Sequence, residues 1–211
     1  LVARRPPGRA GRPDLYFKKQ AMENSSDEKY RAFLEMATAI VSKLDPDGVF
    51  HAAVKSLRPL VDLNYAAVVI PHPEKEGFRV QMLEIDAPNP VLTKFVEVPR
   101  HGSIAGWVYD HRESVLIPDF EKAEQFSSSA ARLMRGGMRS GCAVPLVVRG
   151  RVVGILSIAS RRINAYTHKD RAFFEEVSRL VSLAYDNASN YEQLKRLSRR
   201  LEDDNLALQE K

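Results

Sequence analysis

The sequence predicts an α+β domain, with antiparallel strand pairs in the middle of the chain and helices at its two ends. Three stretches carry this reading. Arg139–Ser160 (RSGCAVPLVVRGRVVGILSIAS) holds two runs dense in Val, Ile and Leu joined at Arg149-Gly150, residue types that suit a pleated surface. Tyr65–Pro71 is an aliphatic run, and Phe78–Ile85 alternates and pairs with it across a turn at His72–Gly77. From Phe173 onward, Phe173, Val177, Leu180, Ala184, Asn187, Tyr191, Leu194, Ser198, Leu201, Asn205 and Leu208 recur four and three residues apart, the pattern of a long helix with a coiled-coil seam.

In chain order, residues 1–24 are expected to be a disordered basic leader, rich in Arg, Pro and Gly with little to bury. The net charge of +5 is a property of this segment. Residues 1–20 carry six basic side chains (Arg4, Arg5, Arg9, Arg12, Lys18, Lys19) and one acid, Asp14, while the other 26 basic and 26 acidic residues cancel. A leader is therefore expected rather than a nucleic-acid arm, and direct nucleic-acid contact is not. Ser25-Ser26-Asp27-Glu28 reads as a capping box. The helix after it shows Tyr30, Phe33, Leu34, Ala37, Ile40, Val41 and Leu44 on one stripe. Asp45-Pro46 begins a second helix, with Asp45 as N-cap and Pro46 in the first turn, where proline is tolerated.

Beyond the first strand pair, Ala87-Pro88-Asn89-Pro90 is a loop and Thr93–Val98 a short strand. Ile104–His111 is a short helix capped by Ser103, Val115–Pro118 a short strand, and Glu121–Arg135 a helical stretch stopped by Gly136-Gly137. In the hairpin, a two-residue turn sets Val148 opposite Arg151 and Cys142 opposite Ser157. One face then carries Ser140, Cys142, Val144, Leu146, Val153, Ile155, Ser157 and Ala159. That face suits the floor of a small-molecule cavity and equally a core with satisfied hydroxyls. Thr167-x-x-Asp170 caps the final helix.

Several function classes are set aside. One cysteine, Cys142, allows no intrachain disulfide and no multi-thiolate metal site. The five histidines are scattered, so no metal is expected, and the sequence requires no cofactor. No apolar run reaches the ~18 residues of a membrane span, and the opening lacks the apolar core of a secretory signal. A cytoplasmic protein is expected.

Four ordered blocks resemble the GAF domain: Gly102-Ser103-Ile104-Ala105-Gly106-Trp107-Val108; Val115-Leu116-Ile117-Pro118-Asp119; Arg139-Ser140-Gly141-Cys142-Ala143-Val144-Pro145-Leu146; and Gly150-x-x-x-Gly154-Ile155-Leu156. The resemblance implies a central antiparallel sheet with the terminal helices on one face and a ligand-side roof of short helices and loops on the other. It places a sensor domain at residues 25–187 and a coiled-coil signalling helix at 188–211. The segment Leu201–Glu210 is similar to the linker after GAF domains in bacterial sigma-54-dependent activators of the formate hydrogenlyase regulator type. An ATPase and a DNA-binding module follow there, but no phosphate-loop motif occurs in this chain.

Trp107, Phe120, Phe126, Met134, Ser140, Cys142 and Ser157 are the candidate ligand-binding residues. Each is equally readable as plain core. Tyr191, Leu194, Leu201, Asn205 and Leu208 are the candidate dimer interface. The expected function is a regulatory sensor that binds an unidentified small molecule and works as a homodimer. It passes ligand state through its exit helix to an output domain outside this chain. A ligand-free dimerisation module and an enzyme on a GAF scaffold are the alternatives. No catalytic activity is expected, because no acid–base or nucleophile constellation is evident and one cysteine cannot complete the disulfide cycle of the methionine sulfoxide reductase subtype.

Overall fold

The computed structural model describes residues 31, 33–72, 74–86 and 91–209, with side chains to residue 202. Leu1–Glu35 is one unit and Met36–Lys211 another. The basic leader and the Ser25–Glu28 cap lie outside the described residues, and only the second unit carries the fold.

Local chemistry starts most elements where the sequence places them. Residues 36–41 are helical (α1), with Met36 and Ile40 buried. Val41 and Leu44, expected on the packed stripe, are exposed. Helix α2, Pro46–Leu57, begins at Asp45, whose carboxylate accepts the Gly48 N–H at 2.6 Å, so one otherwise orphaned amide is satisfied. Strands β1 (Tyr65–Pro71) and β2 (Phe78–Ile85) pair antiparallel with the expected bounds. The expected Thr93–Val98 strand shrinks to β3, Glu97–Val98. Ahead of it Phe95 takes a left-handed backbone (φ 63°), which interrupts the extended run.

Helix α3, Ile104–His111, is capped by the Ser103 hydroxyl, which accepts the Gly106 N–H at 3.0 Å. Strand β4 is Val115–Ile117. The expected helix at Glu121–Arg135 is divided: two 3₁₀ turns, Phe120–Lys122 and Glu124–Phe126, precede helix α4, Ser127–Arg135. Strands β5 (Ser140–Val148) and β6 (Arg151–Ser160) form the hairpin. Arg149 (φ 49°) and Gly150 (φ 76°) both have positive φ, the requirement of the tight turn whose twist matches its strands. Helix α5 runs unbroken over His168–Gln209. Its capping box closes reciprocally, Thr167 N–H to Asp170 at 2.7 Å and Asp170 N–H to Thr167 Oγ1 at 3.3 Å.

The six strands form one antiparallel sheet in the order β3-β2-β1-β6-β5-β4. Helices α2 and α5 pack together and against one face, with Phe50 of α2 stacked on Tyr185 of α5 at 5.2 Å. Helices α3 and α4 and the 3₁₀ turns form a roof whose apolar residues cluster with Tyr65, Ala67, Ala143, Ile155 and Ala159 on the other face. The expected GAF-like layering is therefore present.

The hairpin register reverses a sequence reading. A register shift at Leu146/Val147 leaves Val153 as the extra residue, because Val147 opposes Val152 while Leu146 opposes Gly154. Beyond it Cys142 opposes Ile158, and Ala143 opposes Ser157, so the two sides of the hairpin swap partners by one residue. Pro145 sits beyond the end of β4, which pairs only with Gly141, Cys142 and Ala143. Its missing N–H therefore removes no ladder bond, and its carbonyl accepts the Ser178 hydroxyl of α5.

On α5 the residues turned into the domain are Phe174, Val177, Val181, Ala184 and Ala188, all buried. The first half of the helix thus packs on the domain and the second half is open, although Leu183 is exposed. Val177 and Ala184 belong to the packed stripe, while Tyr191, Leu194 and Leu201 are exposed. Because Phe174 is fully buried against the fold, Phe174→Ala should destabilise the domain by about 3–5 kcal/mol. Asp45→Ala, which removes only a cap, should cost about 1 kcal/mol. Urea unfolding followed by circular dichroism separates the two.

Candidate functional site

The site is built where the roof meets the β1–β6–β5 floor. Strand alternation directs Tyr65 of β1, Gly141 and Ala143 of β5, and Ser157 and Ala159 of β6 to this face, and Ile104, Ile117, Phe120 and Leu133 close over them. The space left is about 10 Å³, at the lower limit for one water molecule. Phe120 is the reason. Asp119 starts its 3₁₀ turn by accepting the Glu121 N–H at 3.1 Å, and the ring is driven onto the floor over Gly141. A Cβ on Gly141 would stand 2.7 Å from Phe120 Cζ and 2.9 Å from the Ile158 carbonyl. The missing side chain of Gly141 is the space the Phe120 ring occupies.

The candidate residues divide by face. Phe120 and Ser157 border the void. Phe126 is buried beside it, edge-on to Trp107 at 6.2 Å, and Trp107 is stacked on His111 at 4.3 Å. Met134 is half-buried against the same cluster. Cys142 also borders the void, whereas Ser140 is placed elsewhere. Ser140 turns to the β6–α5 connector, where its hydroxyl donates to the Arg162 carbonyl at 2.6 Å and accepts the Ala165 N–H at 3.2 Å. Cys142 alternates with Ala143 of the roof cluster, and its thiol lies in the field of Asp170, Arg171 and Glu175 of α5. Past the hairpin bulge Ser157 pairs with Ala143 under the roof, Ser140 faces the connector, and Cys142 lies between the void and the α5 charges.

Electrostatics follow burial. The Cys142 thiol is pushed up to about 12 by burial, with Arg171 opposing, so it is a protonated thiol at neutral pH. Tyr65, which sequence reading did not single out, is a polar handle on the roof face. Its phenol is raised to about 12 by burial, and Arg132 of α4 pulls it back down. Its position at the start of a strand feeding the floor was the signal available. Among the described residues no group of three or more His, Cys, Asp or Glu is arranged to hold a metal ion. No helix among them is long and apolar enough to cross a membrane.

Comparison with known proteins agrees with this architecture. The family model described as GAF domain matches residues 45–185. The formate hydrogenlyase transcriptional activator FhlA of Escherichia coli (strain K12) is 24% identical over 186 residues, which are 87% of this chain and 27% of that protein. The chain thus spans about a quarter of the length of the curated relatives it matches. The GAF domain of a phosphoenolpyruvate-protein phosphotransferase from Coxiella burnetii superposes with a TM-score of 0.67 at 11% identity, covering 78% of this chain and 96% of that one. The free methionine-R-sulfoxide reductase from Neisseria meningitidis superposes with a TM-score of 0.62 at 13% identity, covering 74% and 86%.

That last likeness corrects one expectation. Catalytic activity was set aside because no constellation was evident and there is one cysteine. Free methionine-R-sulfoxide reductases from three organisms nevertheless share this fold, so the scaffold is one on which catalysis occurs. The sequence argument therefore does not exclude it.

Gly141→Ala should lower stability by about 1–3 kcal/mol through overpacking against Phe120, read as a drop in thermal midpoint. Native Cys142 should resist a thiol reagent at neutral pH until the chain is unfolded by urea. The sign of its pH dependence follows from the raised values. Below the thiol's ordinary value of 9.0, folding carries no ionisation penalty. As pH rises from 9.0 toward about 12, the unfolded chain releases the Cys142 proton, and above 10.0 the Tyr65 proton, that the fold retains. Stability should fall across that window, measured as a falling urea midpoint.

Proposed function

This chain belongs to the GAF domain family, and from that premise we propose that it is the regulatory sensor domain of a bacterial signal-transduction or transcription-regulatory protein. The curated relatives are transcriptional activators, and a solved neighbour is the GAF domain of a two-component sensor histidine kinase from Bacillus halodurans. In this reading a small molecule enters under the roof at the Tyr65–Phe120–Ser157 position. The change is carried by α5 to an output module outside this chain, in the manner of sigma-54-dependent activators.

The observation that carries the reading is the construction of α5. Its first half is anchored by Phe174, Val177, Val181, Ala184 and Ala188, and its second half leaves Leu194 (67% exposed) and Leu201 (63%) uncovered. Helical backbone continues to Gln209, about 30 Å beyond Ala188 at 1.5 Å per residue. A solitary helix of that length with a charged back is marginal in water. Tyr191, Leu194 and Leu201 continue a four-three spacing that suits a partner copy of the same helix. Asn205 and Leu208 extend the spacing, and their side chains lie outside those described. A homodimer through this helix supplies the missing cover.

One observation favours a second reading. The roof void is filled by Phe120, which fits a dimerisation module with no ligand. Sensing in the first reading requires Phe120 to leave the floor over Gly141.

Two measurements test the proposal. Light scattering should give a dimer for the chain and a monomer for Leu194→Glu/Leu201→Glu, whereas a mass unaffected by the substitutions overturns the helix dimer. Native mass spectrometry of the purified chain should reveal a bound small molecule lost in Ser157→Phe, which blocks the void. A chain that stays empty across metabolite screens favours the ligand-free module.

A further inference from the structure

A second concavity, of about 440 Å³, lies between the α3–β4 connector, the open edge of β5 at Pro145 and Val147, and one face of α5. It is distinct from the roof void, and its size falls within the range of about 300–1,000 Å³ typical of small-molecule sites. Its α5 wall is formed by Arg171, Glu175, Ser178, Arg179 and Ser182, spaced four, three, one and three residues apart and therefore on one side of the helix. Arg112 and Glu113 from the connector complete the charges, three guanidinium groups against two carboxylates.

The polar groups are not equally engaged. Ser114 donates its hydroxyl to Glu175, and Arg171 Nε lies 3.7 Å from the same carboxylate, beyond hydrogen-bond distance. Arg171 Nε is buried and has no hydrogen-bond acceptor. Ser178 and Ser182 are committed to the Pro145 and Ser178 carbonyls, and Arg179 is paired with Glu176 of its own helix. Arg112 is exposed and has no ion pair among the described residues. Its backbone is left-handed (φ 58°) at the C-cap of α3, with its N–H donating to the Val108 carbonyl at 2.9 Å. Glycine takes that conformation without strain. The tight reversal places Arg112 at the mouth of the groove, across from Arg171.

We propose that this groove binds a small molecule through an oxoanion head, a carboxylate or phosphate, held by Arg112 and Arg171. A guanidinium presents its donors in a planar fork that matches such oxygens. One such head answers the charge of Arg112, which has no ion pair among the described residues, and the buried Arg171 Nε gains its missing acceptor. Because Arg112 closes α3 and Arg171 belongs to the first turns of α5, an occupant ties the end of a roof helix to the helix that leaves the domain. The site therefore offers an input to α5 that does not pass through the Phe120 void.

Titration calorimetry of the chain at constant ionic strength, with sodium phosphate and sodium succinate as separate probes, tests this. We expect saturable one-to-one binding of at least one probe, weakened about tenfold or more by Arg112→Gln and by Arg171→Gln, with Arg112→Lys in between. Succinate alone identifies a carboxylate occupant and phosphate alone a phosphoryl one. The thermal midpoint of Arg112→Gln without ligand should match the parent, because its side chain supports no packing. Neither probe saturating at millimolar concentration, or Arg112→Gln binding as the parent does, overturns the proposal.

Discussion

Strand β6 has a partner on each edge and cover on each face, and the domain is arranged to satisfy it. Its backbone groups are paired by β1 on one side and β5 on the other, so no donor or acceptor in its middle needs water. Its side chains alternate between two apolar environments, Ile155 and Ala159 toward the roof, Leu156 and Ile158 toward the helices. Such a strand can be buried only if helices exist to cover both sides, which is why α2 and α5 are as necessary as α3 and α4. Gly154 lets β1 come close, since a Cβ there would meet the Val69 carbonyl at 3.3 Å.

The same demand shapes the ends of the sheet. Buried hydroxyls there are tied down rather than left for a ligand. Ser140 holds the connector before α5, and Ser160 donates to Asp62 at 3.1 Å while accepting the Arg162 N–H at 3.0 Å. Tyr166 donates to the Asp62 carbonyl at 2.7 Å. At the roof, Ser129 of α4 accepts the Ile104 N–H at 3.2 Å, and Ser128 donates to the Gly102 carbonyl at 2.6 Å. Helices α3 and α4 are thus joined at the start of α3. Helix α3 also ends at Arg112, which lines the groove beside α5. The roof void is bordered by Ile104 at one end of α3, and the groove by Arg112 at the other.

Helix α5 combines two requirements in one pattern. A stripe that shares Val177 and Ala184 with the heptad seam packs on the domain, and farther along the helix Tyr191, Leu194 and Leu201 are left exposed. A single unbroken helix converts packing at Phe174 into the orientation of Leu194 and Leu201, since a helix transmits rotation along its axis more faithfully than a loop does. The proposed regulatory role depends on that continuity more than on any one pocket residue.

Much of the fold was legible because short-range chemistry sets it. Asp45-Pro46 starts α2, Arg149-Gly150 turns the hairpin, Ser103 and Thr167-x-x-Asp170 cap their helices, and Gly136-Gly137 ends α4. Each acts on amides within a few residues, so spacing in the sequence is enough. The division of the site was not legible. Period-two alternation predicts which residues share a face but not where one extra residue will be absorbed, and the bulge at Val153 set Ser157 opposite Ala143 under the roof while Ser140 holds the connector. Composition likewise placed Phe120 among possible ligand contacts, but only the three-dimensional approach of its ring to Gly141 shows that it fills the cavity. The chain's own sequence therefore determined the strands, turns, caps and family. Tertiary packing decided which face each polar residue serves, because that choice depends on contacts between segments that local chemistry never brings together.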